Sequence, residues 1–238
     1  KNIIIATGGR PRSFPGMELD GKRIISSKEA MVLKEIPKKL IIIGSGAIGV
    51  EFAYFFNAYG TEIHLIEMLP RILPIEDEAI SKELARTFKR SKMKIYTETK
   101  VSKIESLKTK VKVYLDKKGK QEILDGDLAL VAVGVTGNVE NIGLKSIGVL
   151  VEKGAIVINE HNQTSVSNIY AIGDVTGPPW LAHVASAQGH VAAEHAAGQD
   201  VSPVDYSNIP GCTYCQPQVA SIGLTESAAK AEGFDVKV

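Results

Sequence analysis

Between Lys39 and Glu67 an apolar run, a turn with three glycines, a helix-patterned stretch and a second apolar run follow one another within 29 residues. No other part of the chain restricts the fold as strongly. Lys39–Ile43 is short and continuously apolar, the pattern of a strand buried on both faces. Gly44-Ser45-Gly46-Ala47-Ile48-Gly49 interrupts it, and Ala47–Tyr59 then has helical spacing and stops at Gly60, a residue suited to the position just past a helix. Thr61–Glu67 reads as a strand again. Strand and helix alternating in this way imply a mostly parallel sheet.

The remainder extends that pattern. Lys1–Ala6 reads as a short strand running into a glycine turn at residues 7–11. Arg12–Pro37 is loop-rich, with a short helix expected over Ser27–Lys34. Glu76–Lys89 is expected to be a helix whose first turn carries Glu76, Asp77 and Glu78, well placed beside the helix dipole. From Lys94 the period changes: Lys94–Val101, Ser102–Leu107, Val111–Leu115 and Glu122–Asp125 read as strands, with a hairpin at Lys117-Lys118-Gly119. Asp127–Val133 is a buried strand, Ala155–Ile158 and Ile169–Ile172 are further strands, and Leu181–Ala197 is a helix ended by Gly198. A strand pair at Cys212–Tyr214 and Gln218–Leu224 and a helix at Ser227–Gly233 complete the chain. The expected fold class is α/β, a Rossmann-like parallel sheet with an antiparallel meander inserted near residues 102–125.

Composition narrows the function. Lys and Arg number 28 against 27 acidic residues, a net charge of +1 over 238 residues, which argues against a nucleic-acid partner. No apolar run approaches the roughly 20 residues that span a bilayer, so no membrane partner is expected. Two cysteines, Cys212 and Cys215, are too few for a secreted disulfide scaffold, and a reducing, cytoplasmic setting is expected. The chain starts at Lys1 inside a strand-like run and stops at Val238 in another, so a piece of a longer protein is expected.

Gly44–Gly49 is a G-x-G-x-x-G placed between a strand and a helix, the context in which that motif cradles a dinucleotide. Gly44 permits the tight turn, Gly46 lets a pyrophosphate approach the backbone, and Gly49 lets helix and strand pack closely. Glu67 lies 23 residues after Gly44, near the spacing of the acid that binds the adenosine ribose. A carboxylate there repels a 2′-phosphate and favours NAD over NADP. Glu51, read as lying in the first turn of the helix, fits either a dipole partner or a polar contact near the nicotinamide. Asp174 closes the apolar strand of Ile169–Asp174, where it fits either a ligand at the carboxyl end of the sheet or a capping aspartate. The helix start after Trp180 offers free N–H groups to an electron-rich ring. Cys212 and Cys215 sit in a β-like stretch rather than at a helix start and read as inert thiols. His64, His161, His183, His190 and His195 form no triad, and no metal site is expected. The lysine runs of the meander read as a solvated face.

Taken in order, Thr7-Gly8-Gly9, Gly44–Glu51, Glu67, Val131–Gly134, Ala171–Asp174, Leu181-Ala182-His183 and Pro217–Glu226 resemble the pyridine nucleotide–disulfide oxidoreductases over essentially the whole chain. The resemblance is greatest to members that oxidise a dihydrolipoyl group with NAD⁺. It implies two cofactors, NAD and FAD. Gly44, Ser45, Gly46, Ala47, Ile48, Gly49, Val50 and Glu51 would cradle NAD, with Glu67 on its ribose and Val101 and Gly134 lining its adenine and nicotinamide sides. Thr7, Gly8 and Gly9 would lie against FAD, Asp174 would bind its ribityl or pyrophosphate region, and Trp180, Leu181, Ala182 and His183 would approach its ring. The resemblance further implies a homodimer serving a lipoyl-bearing subunit of a 2-oxo acid dehydrogenase complex.

The implied domains are an FAD-domain segment over residues 1–12, an NAD domain over 13–136, a second FAD segment over 137–205, and the start of an interface domain over 206–238. Val135-Thr136-Gly137-Asn138 departs from the G-R-x-P-N usual in the family. The family's first G-x-G-x-x-G, its C-x-x-x-x-C pair and its His–Glu couple are not among these residues, so no catalytic residue is assigned and the chain alone is not expected to turn over. Two alternatives stay open at this point: an NAD(H)-binding module that senses redox state, or a family reductase of the mercuric or glutathione type.

Overall fold

A computed structural model describes residues 1–238 as two compact units, Lys1–Pro11 with Val135–Ile209 and Arg12–Gly134 with Pro210–Val238. The larger is built on a five-stranded parallel sheet in the order Ile24–Ile25, Leu128–Val131, Lys39–Ile43, Glu62–Ile66, Lys94–Tyr96. Alternation along the central strands divides their side chains between two cores. Leu40 and Ile42 join Ile63, Leu65, Leu128 and Leu130 beneath Val50, Ala53 and Phe56 of the Ala47–Ala58 helix and Leu84 and Phe88 of the Glu78–Arg90 helix. Ile41 and Ile43 join Ile66, Ala129 and Val131 on the opposite side, beneath Val101, Ile104, Val111 and Val113. Burial of both faces is why these strands read as unbroken apolar runs.

The second cover is the antiparallel meander of Lys100–Ser106, Val111–Lys117 and Lys120–Gly126. Val111, Val113 and Leu115 point inward at every second position, with Lys112, Tyr114 and Asp116 half-buried between them. The hairpin turn places Lys118 and Gly119 at φ 54° and 84°, the left-handed pair that matches strand twist. The strand expected over Lys94–Val101 is broken in two, because Glu98 takes φ 53° and ends the parallel edge after Tyr96. Helix Glu78–Arg90 starts later than its acidic run suggests. Asp77 caps it by accepting from the Ala79 N–H at 3.1 Å, and Glu76 lies outside it and buried.

In the smaller unit Ile3–Ile5 pairs in parallel with Ile169–Ala171, and the helix Ala182–Ala196 follows. Leu144, Val149, Ile156, Ile169, Ala171 and Val175 form its core. Gly9–Pro11, expected as part of a turn, is a strand antiparallel to Val135–Gly137. Glycine and proline mask its β character, and its partner lies more than a hundred residues away. Arg10 locks the pair with a forked bridge to Glu140 at 2.6 and 2.8 Å. Residues 210–238 belong to the larger unit, whereas Tyr206, expected to open the last domain, belongs to the smaller one, its hydroxyl accepting from Gln188 Nε2 at 2.8 Å. Gly211–Thr213 and Val219–Ser221 form a hairpin there, Cys215 and Val219 enter the core below Phe56, and the Glu226 N–H donates to Asp77 Oδ2 at 2.9 Å. No helix is long and apolar enough to cross a membrane.

His64 is a packing residue. Its ring is buried, stacks on Tyr96 at 5.6 Å, and places Nδ1 3.0 Å from the Tyr96 hydroxyl and Nε2 2.9 Å from Glu62 Oε1. Burial pushes its pKa below the ordinary 6.5 despite the Glu62 carboxylate, and Lys39 and Lys94 push the same way. The unfolded chain therefore binds a proton that the folded chain resists, and stability falls as pH drops through 6.5. Urea unfolding at pH 7.5 and 5.5 is expected to show a larger loss in the wild type than in His64→Gln. Equal losses would remove His64 from the pH response.

Candidate functional site

The parallel sheet changes direction between Lys39–Ile43 and Leu128–Val131. From the first strand the chain winds outward through Glu62–Ile66 and Lys94–Tyr96, then returns to place Leu128–Val131 on the other flank. Ligands of open α/β sheets bind at the carboxyl ends of the strands at such a reversal. The Gly44 turn leaves one of the two strands there and Gly134 follows the other. Gly44 has φ 96°, and a Cβ on it would stand 2.3 Å from the Ala132 carbonyl oxygen, so no other residue fits. A Cβ on Gly49 would meet the Gly44 carbonyl oxygen at 2.0 Å. Gly46 and Gly134 differ: nothing lies within 4 Å of a Cβ at either. Gly46 is also the N-cap of the Ala47–Ala58 helix, and no side chain caps that helix. Ala47 is exposed and Ile48 half-buried at the same helix start. Open glycine backbone at an uncapped helix start suits the pyrophosphate of a dinucleotide.

Glu67 is where the ribose acid is expected, at the end of the next strand, and it is already held. Its Oε2 accepts from the Ser45 amide at 2.9 Å and the Ser45 hydroxyl at 2.8 Å, and its Oε1 accepts from the Leu69 N–H at 2.8 Å. Ser45 is wholly buried and Glu67 is 8% exposed. The Leu73 N–H donates to the Ser45 carbonyl at 2.8 Å, and Leu73 adopts φ 43° to do so. Leu69 and Leu73 act through backbone amides, which leave no mark on residue type, so sequence reasoning does not find them.

Other expected residues fall into place differently. Glu51 is not in the first helical turn, which holds no acidic residue; it lies one turn further, and its Oε1 accepts from the Tyr214 N–H at 2.8 Å. The dipole explanation therefore gives way to a tie with the segment after Pro210. Val50 is fully buried between its helix and the sheet, and Val101 is buried on the inward face of the meander, so their side chains pack the core. Cys212 is exposed and Cys215 buried, and burial, with the Glu51 charge adding, pushes the Cys215 thiol up to about 11. An inert thiol is what that environment produces.

The smaller unit brings Thr7–Gly9 and Asp174 together, although they are far apart in sequence. A Cβ on Gly9 would lie 3.0 Å from the Asp174 Cβ, and Gly8 has φ 70° with open space before it. Thr7 is fixed by its hydroxyl donating to the Asn138 carbonyl at 2.9 Å, and the Asn138 amide returns a bond to the Thr7 carbonyl at 2.9 Å. Asp174 lies three residues past the strand's end at Ala171, in a 3-10 turn over Gly173–Thr176 where Gly173 donates its N–H to Gln188 Oε1 at 2.6 Å. Trp180 is 39% exposed, Leu181 is the N-cap of the Ala182–Ala196 helix without a side-chain cap, and Ala182 and His183 are exposed at its start. Exposed backbone beside a half-buried carboxylate suits a polar cofactor with hydroxyl groups.

Comparison with known proteins bears on both sites. The family described as pyridine nucleotide-disulphide oxidoreductase matches residues 1–189, and its dimerisation domain matches residues 209–238. A dihydrolipoyl dehydrogenase of Rhizobium etli is 45% identical over 240 residues, and one of Bacillus subtilis is 43% identical over 240 residues; each match covers 100% of this chain. Only 50% and 51% of those two relatives is covered, so the chain spans about half their length. Among solved structures, LpdA from Mycobacterium tuberculosis superposes with a TM-score of 0.90 at 27% identity, covering 98% of this chain and 50% of that one. The HOCl-induced flavoprotein disulfide reductase RclA from Escherichia coli gives 0.88 at 28% identity, covering 99% and 54%.

The two kinds of glycine predict different variants. Gly46→Ala should melt within about 0.5 kcal/mol of wild type, as a substitution into open space does, yet lose at least roughly tenfold in NADH affinity through the blocked approach to the helix start. Gly49→Ala should destabilise the fold itself. A Gly46→Ala chain that binds NADH as wild type does would move the pyrophosphate elsewhere.

Proposed function

This chain belongs to the pyridine nucleotide-disulphide oxidoreductase family, and from that premise we propose that it forms the NAD-binding part and some of the FAD-binding part of a dihydrolipoyl dehydrogenase. The observation that carries this reading is the pairing, at the sheet's reversal point, of an open glycine turn on an uncapped helix with a carboxylate fixed at the end of the neighbouring strand. Gly44–Gly49 would cradle the NAD pyrophosphate, with the helix-start amides from Gly46 onward as its donors, Glu67 would accept from the adenosine ribose, and Glu51 and Gly134 would serve its nicotinamide half. Thr7, Gly8, Gly9 and Asp174 would hold FAD, with Trp180–His183 near its ring. When bound, these cofactors supply two-electron transfer between a dithiol and NAD⁺. The chain's own residues bind and orient: they offer amides to phosphates, a carboxylate to a diol, and glycine where a side chain would obstruct.

Names of the relatives and the match to a dimerisation domain support a homodimeric parent that works on a lipoyl-bearing subunit of a 2-oxo acid dehydrogenase complex. Two unpaired cysteines, one of them buried, support a reducing cytoplasmic setting.

Fluorescence titration with NADH and NADPH tests the reading. Saturable binding that prefers NADH is expected, and Glu67→Ala should bring the two affinities closer. Equal or tighter binding of NADPH would sink the ribose assignment, and no binding of either would sink the dinucleotide site.

A further inference from the structure

Ser45 is the polar residue at the centre of a turn whose shape does not require it. Gly44 and Gly49 enforce the close approaches, and Gly46 leaves the open face. Alanine or glycine at position 45 would satisfy the backbone equally. The serine is nevertheless wholly buried, and a buried hydroxyl without a partner is costly. Its partner is Glu67 Oε2, which takes the Ser45 O–H at 2.8 Å and the Ser45 N–H at 2.9 Å. We infer that Ser45 is a positioning residue for dinucleotide selectivity: by holding Glu67 against the glycine turn it fixes a carboxylate that accepts from an unmodified ribose and repels a 2′-phosphate. This rests on the dinucleotide reading of the site.

Lone-pair accounting supports the assignment. A carboxylate has about four acceptor positions. Two on Oε2 go to Ser45 and one on Oε1 to Leu69, which leaves Oε1 the oxygen with room for a further donor. A ribose hydroxyl is a donor and fits that position. A phosphate ester at neutral pH carries charge and acceptor oxygens, so it meets a fixed like charge in a poorly hydrated site. Without the Ser45 hydroxyl the backbone amides remain, but the side chain gains freedom to turn toward water. The acceptor is then less well placed for NADH, and the repulsion of NADPH is relieved. The two ligands thus respond in opposite directions, whereas damage to the turn itself would weaken both.

The test is titration of the 238-residue chain and its Ser45→Ala variant with NADH and NADPH at one salt concentration. NADH is expected to bind about fivefold more weakly in the variant, the size of one modest hydrogen bond, with NADPH unchanged or tighter. In a Glu67→Ala background the Ser45→Ala change should leave the ratio of the two affinities unaltered, because the group it positions is gone. Should Ser45→Ala fail to fold, Ser45→Cys keeps the volume with a weak donor and should lower the ratio in the same sense. Parallel weakening of both ligands, or an unaltered ratio, overturns the role of Ser45 while leaving the dinucleotide site standing. A wild-type chain that binds neither ligand overturns the site and this inference together.

Discussion

The Ala132 carbonyl oxygen stands 2.3 Å from where a Cβ on Gly44 would be, and the ligand-facing end of the larger unit follows from that approach. Two parallel strands, Lys39–Ile43 and Leu128–Val131, run side by side in register and then must part. They stay joined one residue further by the Ala132 N–H on the Ile43 carbonyl at 2.7 Å. Only glycine at position 44 lets the chain turn away at φ 96° without striking the neighbouring backbone. The helix start that follows is thereby brought over the end of the sheet, with its first amides directed outward. A bulkier turn would move the helix off the sheet and separate Val50, Ala53 and Phe56 from Leu40 and Ile42. Core packing and anion-binding geometry therefore depend on the same contact.

Charge is placed with comparable economy. Glu67 would be an expensive carboxylate at 8% exposure if it were left to itself, and three donors within the chain offset that cost. Two come from the glycine turn and one from the loop that follows the strand. The Leu73 amide then ties that loop back to the turn. Turn, strand end and loop form one closed set of hydrogen bonds, with one acceptor position on Glu67 left over.

What could be read from the sequence follows from how local each determinant is. Lys39–Ile43, the Ala47–Ala58 helix, the meander hairpin and the Ala182–Ala196 helix are set by neighbouring residues: an unbroken apolar run, a periodic face ended by glycine, a Lys-Gly turn. Ile24–Ile25 and Gly9–Pro11 are strands only because Leu128–Val131 and Val135–Gly137 come to lie beside them. A pairing across a hundred residues leaves no trace in a two- or three-residue segment. The same holds in the site. Gly44 and Gly49 are legible because no other residue type fits there, while Leu69, Leu73 and Tyr214 contribute amides that any residue but proline would supply. Glu51 was legible as a polar residue of that helix, but its partner was not.

The titratable groups that depart furthest from ordinary behaviour serve the fold. Lys94 and His64 hold the Glu62 carboxyl down to about 2 at the sheet edge, and Arg10 does the same to Glu140 across a strand pair. Cys215 is displaced the other way, to about 11, by burial beside a carboxylate. An attacking thiol needs the opposite environment, a helix start or a neighbouring cation that favours thiolate. The CxxC spacing of Cys212 and Cys215 is thus incidental to chemistry: one thiol fills the core under the Ala47–Ala58 helix and the other faces solvent from a hairpin strand.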